Sequence, residues 1–432
     1  MKFPGQRKIK HYFPVTTPKA VLESGKKPKI ESHICGIDQT LVDIEAPVDQ
    51  SFLDKFDLIK GTSCLVDDTQ AEAVYNALLA ENSISHEFAG GTIGNTLHNF
   101  SVLSDNRSVL FGVISDPIRA KGYAYKYLCN TSSKVDLDLL QPVSGPIGRC
   151  FTLISEDGER TFAFNQGMAN ALTSDNIDEN VIASSSALVI SSYLMRVGQG
   201  DTIDNATLKA VQLANTHGVP VVLSLGTKQL IAQNPSWWLE FIEKHVSVLA
   251  MNEEEAETLT GLSDPLLASE AALKVADLVL LTAGPEGLYL SGYTDYELKR
   301  ETSNPLKTGA ISDFNQFEFS RAMAKTECSE PMMVFSHIEP YMGGPDKIKN
   351  TNGAGDGALS ALLHDMAANH YHKQHFPNSS KHLKNSLTYS SFAQVCKYSN
   401  RVSFEMLNQH SPRLSKGLPE REDSLEEAYW EM

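Results

Sequence analysis

Cysteine is scarce and scattered. The six thiols, at positions 35, 64, 129, 150, 328 and 396 of 432, include no C-x-x-C pair. That excludes a disulfide framework and a zinc signature, and predicts a reducing, cytoplasmic setting. No stretch of about 18 apolar residues occurs, so no membrane-spanning helix is expected. The N-terminus is basic but has no apolar run of about 7–15 residues behind it, so no signal peptide is expected either. Positive charge is in short supply too: 37 Lys and Arg against 53 Asp and Glu leave a net −16. A body that acidic is a poor duplex-coating nucleic-acid binder. Backbone donors can still hold small anions.

The charge present is uneven. Residues 1–30 carry eight Lys or Arg and one acid, Glu23, for a net +7 that leaves −23 on the rest. The last fifteen residues hold six acids and one Arg. Residues 1–32, rich in Pro and Lys, read as an extended basic arm. It is either a solvated tail or a segment that docks on a neighbouring subunit or an anionic ligand.

From residue 34 onward, short apolar segments recur at 109–114, 187–190, 219–225, 246–250 and 278–282. Each is bounded by turn residues, the pattern of buried parallel strands. Helical stretches separate several of them, as at 207–216 and 253–260. Strand–helix alternation predicts an α/β fold, a doubly wound sheet covered on both faces. Two regions break the rhythm. Residues 148–166 read as a β-hairpin turning at Asp157-Gly158. Residues 292–345 are long and polar, and read as an insertion with little regular pattern. No internal repeat is evident.

The strongest chemical signal is Asn350-Thr351-Asn352-Gly353-Ala354-Gly355-Asp356, followed by apolar residues at helical spacing. Glycines at a helix start let free N–H groups approach an anion, and the helix dipole adds positive charge there. A carboxylate in that turn can take a proton from an attacking hydroxyl while the N–H groups stabilise a transferring phosphoryl group. A capped, glycine-rich helix start would look the same. Gly90-Gly91-Thr92-Ile93-Gly94-Asn95 offers close backbone approach and an amide for ligand hydroxyls. Asn252 and Glu255 share one face of a new helix, where they can hold waters around a Mg²⁺ on nucleotide phosphates, or simply cap that helix. Thr282-Ala283-Gly284-Pro285-Glu286-Gly287 reads as a loop able to pass under a nucleotide. Gly36–Asp43 carries carboxylates able to hold two sugar hydroxyls. Most of these motifs follow the carboxyl end of an apolar segment, the edge at which open α/β sheets bind ligands.

Taken together, the motifs resemble those of the ribokinase-like (PfkB) carbohydrate kinases. The likeness rests on G-G-x-x-x-N at 90–95, N-x-x-E at 252–255, T-x-G-x-x-G at 282–287, T-N-G-A-G-D at 351–356, and VLFGVISDPIRAKG at 109–122. It runs from about Ile34 to Arg413 in the family's order. The resemblance implies a ribokinase-like, doubly wound, mostly parallel central sheet flanked by helices, with a small β lid. It implies one kinase domain over 33–432, lid segments near 38–60 and 120–166, and the insertion near 292–345. It implies ATP-dependent phosphorylation of the 5′-hydroxyl of a purine nucleoside, inosine or guanosine, in purine salvage. An adenosine or sugar kinase of the same fold, or a non-catalytic nucleotide sensor, is the alternative.

By the same resemblance Asp356 is the general base, and Gly353, Ala354 and Gly355 form the anion hole. Asp43 is the ribose ligand, with Asp38 and Thr40 nearby, and Gly91, Thr92, Gly94 and Asn95 complete the sugar site. Asn252, Glu255, Thr282, Gly284, Gly287 and Asn400 belong to the ATP side, and Glu255 meets Mg²⁺ through water. Arg196 is expected at the base or the product phosphate, and Phe162 or Phe164 can stack on the base. The expected partners are the purine nucleoside, ATP, further copies of the chain in a homo-oligomer, and a nucleotide regulator; no nucleic acid and no membrane is expected. One departure stands out. The family usually has Asp where this chain has Asn350, which predicts a changed local hydrogen bond without loss of activity. The histidines at 364, 370, 372 and 375 lack the spacing of a metal set and predict a solvated helix end. Trp237 and Trp238 predict packing or a subunit contact.

Overall fold

The computed structural model describes residues 33–120, 122–195, 202–302 and 315–418. The basic arm and Arg196 lie outside them. Among the described residues, a twelve-stranded sheet forms the body. Its centre is parallel, in the spatial order Ser108–Ser115, Ile34–Ile37, Leu188–Ser191, Val221–Ser224, Val248–Asn252 and Leu278–Thr282. These strands are almost wholly apolar because helices cover both faces, and Ile34, Ile37, Val189, Leu223 and Leu249 are fully buried. The chain passes from Ile34–Ile37 to a neighbour on one side and later returns to the other side. That reversal opens a crevice at the strand's carboxyl end.

The stretch 292–345 departs from its expected irregularity. Leu288–Asp295 pairs antiparallel with Leu278–Thr282, and Pro331–Ile338 pairs with it in turn along eight residues. Arg321–Met323 links the same strand to Ser386–Ser391. Leu288–Asp295 is buried along its whole length but carries Ser291, Gly292, Thr294 and Asp295, and Pro331–Ile338 buries only residues 334–336, so neither shows the apolar run that marks the parallel centre.

A second sheet of five strands runs Ser63–Leu65, Arg160–Asn165, Gly148–Ile154, Leu41–Pro47 and His86–Ala89. The hairpin expected at 148–166 forms its middle. Period-two alternation splits its residues cleanly. Val42, Ile44, Phe151, Leu153 and Ala163 point to one face and pack under the Gln50–Lys55 and Asp68–Ala80 helices, against Phe52, Leu53, Val74 and Leu78. Asp43, Cys150, Thr152, Phe162 and Phe164 line a cleft on the other. Of the stretch 120–166, the part before Gly148 carries the Tyr123–Cys129 helix and two short strands on the large sheet, not the small one.

Two helices are buried nearly all round, Thr92–Ser104 and Ala354–His375. They pack together behind the crevice. His364 lies inside, hydrogen-bonded to the Tyr398 hydroxyl at 3.0 Å, so the solvated helix end begins only after it. Trp238 is buried and stacks edge-on with Trp237, a packing role. Among the described residues no His, Cys, Asp or Glu cluster is fit to hold a metal by itself, and no helix is long and apolar enough to cross a membrane.

The small sheet has its own apolar core, so its stability is separable from the cleft chemistry. Phe151→Ala removes a fully buried ring and is expected to cost about 3–5 kcal/mol. Urea denaturation followed by fluorescence measures this, and a cost under about 1 kcal/mol would contradict the packing described.

Candidate active site

The cleft lies between the two sheets and holds about 1370 Å³. The turn after Ile34–Ile37 brings Asp38 to it. The turn between His86–Ala89 and the Thr92–Ser104 helix brings Gly91, Thr92 and Asn95. Asn252 and Glu255 come from the junction of strand and helix at 252–253. Thr282, Gly284 and Gly287 follow the last parallel strand, and Gly353 to Asp356 open the Ala354–His375 helix. Segments more than 300 residues apart in sequence thus share one wall.

At the centre is Asp356, on the first turn of its helix. Gly353 caps that helix in the left-handed region at φ 82°, with Pro412 packed where a side chain would be. A side chain at Gly355 would meet nothing within 4 Å, so this backbone faces open cleft. First-turn N–H groups have no partner within the helix, and those of Gly353 and Gly355 find no acceptor among the described residues. They form a ready anion cradle. The Asp356 carboxylate accepts a hydrogen bond from Asn95 Nδ2 at 3.3 Å. Solvent reaches it through the cleft, yet protein crowds it closely, and this desolvation pushes it up to about 7. The Asp38 and Asp43 charges push the same way, while Asn95 and Arg413 oppose them.

The two candidate sugar carboxylates differ in what already holds them. Asp38 is buried, and both its oxygens are occupied: Gln39 N donates to Oδ1 at 2.9 Å and Gly94 N to Oδ2 at 2.6 Å. It caps the Thr92–Ser104 helix from a distance, a helix whose own N-cap, Gly91, has no side chain to offer. Asp43 has no such donors and stands on the cleft face of the small sheet. Burial pushes it up to about 7, with Arg413 opposing and Glu45 adding to the effect. A methyl group on Gly90 would sit 2.5 Å from Asp43 Oδ2, and one on Gly91 would collide with Asp38. The glycines are therefore required by the carboxylates beside them. Thr40 is not at the cleft. Its hydroxyl is buried and donates to the Val113 carbonyl at 2.5 Å.

On the opposite side, Asn252 and Glu255 form a reciprocal cap. Asn252 Oδ1 accepts from Glu255 N at 2.8 Å, and Glu255 Oε2 accepts from Asn252 N at 3.0 Å. Both still line the cleft. Burial pushes Glu255 up to about 7, and its neighbours Glu253 and Glu254 add to that. Gly287 sits at φ 97° beneath the Ile338 carbonyl, which leaves no room for a Cβ. Asn400 reaches the cleft, but its amide is engaged by backbone: Nδ2 donates to Glu339 O at 2.6 Å, and Oδ1 accepts from Tyr341 N at 3.3 Å.

Two arginines escaped the motif reading. Arg160, on the small sheet, donates to Thr351 Oγ1 at 3.0 Å, Asn352 Oδ1 at 3.1 Å and Asn350 Oδ1 at 3.2 Å. It ties the hairpin to the anion loop. Asn350 in turn donates from Nδ2 to Glu45 Oε1 and to His410 O, each at 2.8 Å. This is the altered hydrogen bonding expected where the family has Asp. The second is Arg413, buried behind the sugar end and bonded to Asn95. Arg160 lies in the stretch read as a hairpin and Arg413 at the far end of the family likeness, but those readings give neither residue a role.

Comparison with known proteins places these features in a lineage. Residues 64–308, more than half of the chain, match the pfkB family carbohydrate kinases. The chain is 61% identical over 434 aligned positions, covering all of both proteins, to the guanosine-inosine kinase of Escherichia coli K12. In fold it resembles an adenosine kinase from Sinorhizobium meliloti, with TM-score 0.65, 20% identity, and coverage of 90% of this chain and 97% of that one. A probable sugar kinase from Rhizobium etli gives TM-score 0.66 at 17% identity, with the same coverage. On these matches and on its ribokinase-like, mixed sheet, the chain belongs to the pfkB family of carbohydrate kinases.

Proposed function

We propose that the cleft transfers the γ-phosphoryl group of ATP to the 5′-hydroxyl of a purine nucleoside, guanosine or inosine. The observation that carries the chemistry is the Asp356 carboxylate on the first turn of a helix whose free N–H groups face open cleft. The likeness to a guanosine-inosine kinase along the whole chain supports the choice of acceptor.

In this reading Asp356 accepts the proton of the attacking hydroxyl. Its elevation to about 7 makes it a stronger base than an ordinary carboxylate while leaving it substantially ionised near neutrality. The N–H groups of Gly353 and Gly355 stabilise charge on the phosphoryl oxygens in transit, joined by that of Ala354 when it leaves its long bond to Thr351 O at 3.4 Å. Asp43 takes the sugar hydroxyls, and Asn95, Gly91 and Thr92 bound that end. Asp38 and Gly94 serve one step back, by fixing the helix that carries Asn95. Phe162 and Phe164 offer the apolar cleft face on which a base can stack. The small sheet acts as the lid that excludes water. ATP lies along Asn252, Thr282, Gly284 and Gly287, and Asn400 acts through the backbone at 339–341.

Mg²⁺ fits this end of the cleft. Glu255 lines the cleft with both carboxylate oxygens already held by Asn252, Oε2 by its backbone N at 3.0 Å and Oε1 by its Nδ2 at 3.1 Å, so a hard cation that keeps its waters would meet it through them. Glu255 would hold it through water, and it would neutralise charge on the phosphates. A cytoplasmic, homo-oligomeric enzyme completes the reading, with a nucleotide regulator for the basic arm; the arm and Arg196 lie outside the described residues.

Two measurements test this. With ATP, Mg²⁺ and a panel of nucleosides and free sugars, guanosine and inosine are expected to give the highest turnover; preference for adenosine or a sugar rejects the acceptor assigned. Asp356→Asn is expected to lower kcat by about 10²–10⁴-fold with unchanged thermal unfolding. A raised carboxyl pKa means that the active, ionised base is lost as pH falls. The wild-type kcat is therefore expected to decline on the acid side of about pH 7, and a profile flat down to about pH 5 would contradict Asp356 as the base.

A further inference from the structure

We propose that Arg413 is a positioning residue for phosphoryl transfer, aiming the Asn95 amide at Asp356 and placing a buried cation among the three carboxyls of the sugar end. The proposal rests on the kinase reading above. Arg413 is only 4% exposed. Its Nε donates to Asn95 Oδ1 at 2.9 Å, Nη1 to Thr131 Oγ1 at 2.7 Å and Nη2 to Gly90 O at 3.1 Å. The guanidinium carbon lies 5.1 Å from the Tyr127 ring centre. All three nitrogens are thus committed to fixed groups.

The consequence for Asn95 is directional. A guanidinium has donors only, so it draws the amide oxygen to itself. The amide NH₂ is then left facing Asp356, where it donates at 3.3 Å. Without Arg413 the amide's orientation rests on the single long bond to Asp356. The glycine at 94 serves the same assembly. A methyl group there would lie 2.9 Å from Arg413 Nη2 and 3.2 Å from Asp38 Oδ2, so the cation and the carboxylate converge over a missing side chain.

Arg413 arrives on a C-terminal strap that is clamped on both sides of it. Asn99 Nδ2 donates to Pro412 O at 3.2 Å, and Asn99 Oδ1 accepts from Leu414 N at 2.8 Å. Asn95 and Asn99 are one helical turn apart on the Thr92–Ser104 helix. One grips the strap's backbone, the other its side chain. Pro412 also packs against Gly353, so the same strap touches the anion cradle. The charged groups facing Asp356 are Asp38, Asp43 and Arg413, of which Arg413 alone favours the ionised base, alongside the Asn95 hydrogen bond.

The test measures kcat and KM against pH for wild type, R413K, R413M, N95A and R413K/N95A. ATP and whichever alcohol the wild type accepts are the substrates, so a failure of the nucleoside assignment leaves this test intact. R413K keeps the charge but loses the fork. It is expected to lower kcat about tenfold with the acid limb unmoved, and R413M to lower it further and move that limb about 1 pH unit higher. Because Arg413 acts through Asn95, R413K/N95A is expected to be no slower than N95A within about twofold. An R413M profile that coincides with wild type overturns the proposal. So does a double variant in which the two losses multiply, a result that stands even where R413M fails to fold.

Discussion

Crowding like charges is the constraint on which this cleft depends. A phosphoryl donor brings several negative charges to a place that must also hold a carboxylate base and a carboxylate for sugar hydroxyls. Burial already pushes Asp38, Asp43 and Asp356 up to about 7, and neighbouring carboxylate charges add to it: Asp43 at Asp38, Glu45 at Asp43, and Asp38 with Asp43 at Asp356. The fold answers with donors that carry little net charge. Asp38 is satisfied by two backbone N–H groups. The phosphates of the proposed donor would meet helix-start N–H groups. Arg413 supplies a full charge, buried where water does not screen it. The overall −16 is therefore no obstacle to a nucleotide, because the potential that matters is set within a few ångströms.

That arrangement needs parts from distant places to meet with sub-ångström tolerance, and the two-sheet architecture provides it. The large sheet fixes the nucleotide side and both buried helices. The small sheet brings Asp43, Cys150, Phe162 and Phe164 across the cleft on one face, while a separate apolar core holds the other. The small sheet thus has an apolar core of its own. Arg160 and the Glu45–Asn350 pair decide where that sheet rests, since both end on the anion loop. The small sheet and the turn at 350–352 are thus tied by direct hydrogen bonds.

Much of this was legible in the residues. Central strands read as apolar runs because both faces are covered. The hairpin at 148–166 followed from its Asp-Gly turn, and the helix start at Gly353 from glycine followed by apolar periodicity. What escaped had no local signature. The strand at 288–295 is buried throughout yet carries Ser, Gly, Thr and Asp in its second half, and the strand at 331–338 buries only its middle, so the polar stretch 292–345 concealed regular structure. The family likeness favours Asp43 over Asp38 and Thr40, but only the partners of their oxygens separate a helix cap, a buried hydroxyl and a cleft carboxylate. Arg413 lies over 300 residues from the amide it holds, and no spacing rule reaches that far.

Asn350 shows how such distant partners constrain a motif residue. An aspartate there would retain oxygens for Arg160 Nη2 and the Asn352 N–H, which Asn350 Oδ1 accepts at 3.2 and 2.9 Å. It would lose the two bonds its Nδ2 donates, and would face Glu45 as a second carboxylate at hydrogen-bond distance. Glu45 is itself buried, with His86 Nδ1 3.6 Å away and the His86 ring stacked on His410. An amide is the group that can donate to Glu45 and to the strap's His410 carbonyl while accepting from Arg160. The departure from the family pattern is thus the local solution for a loop that joins the small sheet, the strap and the helix start at one side chain, without setting a second carboxylate against Glu45.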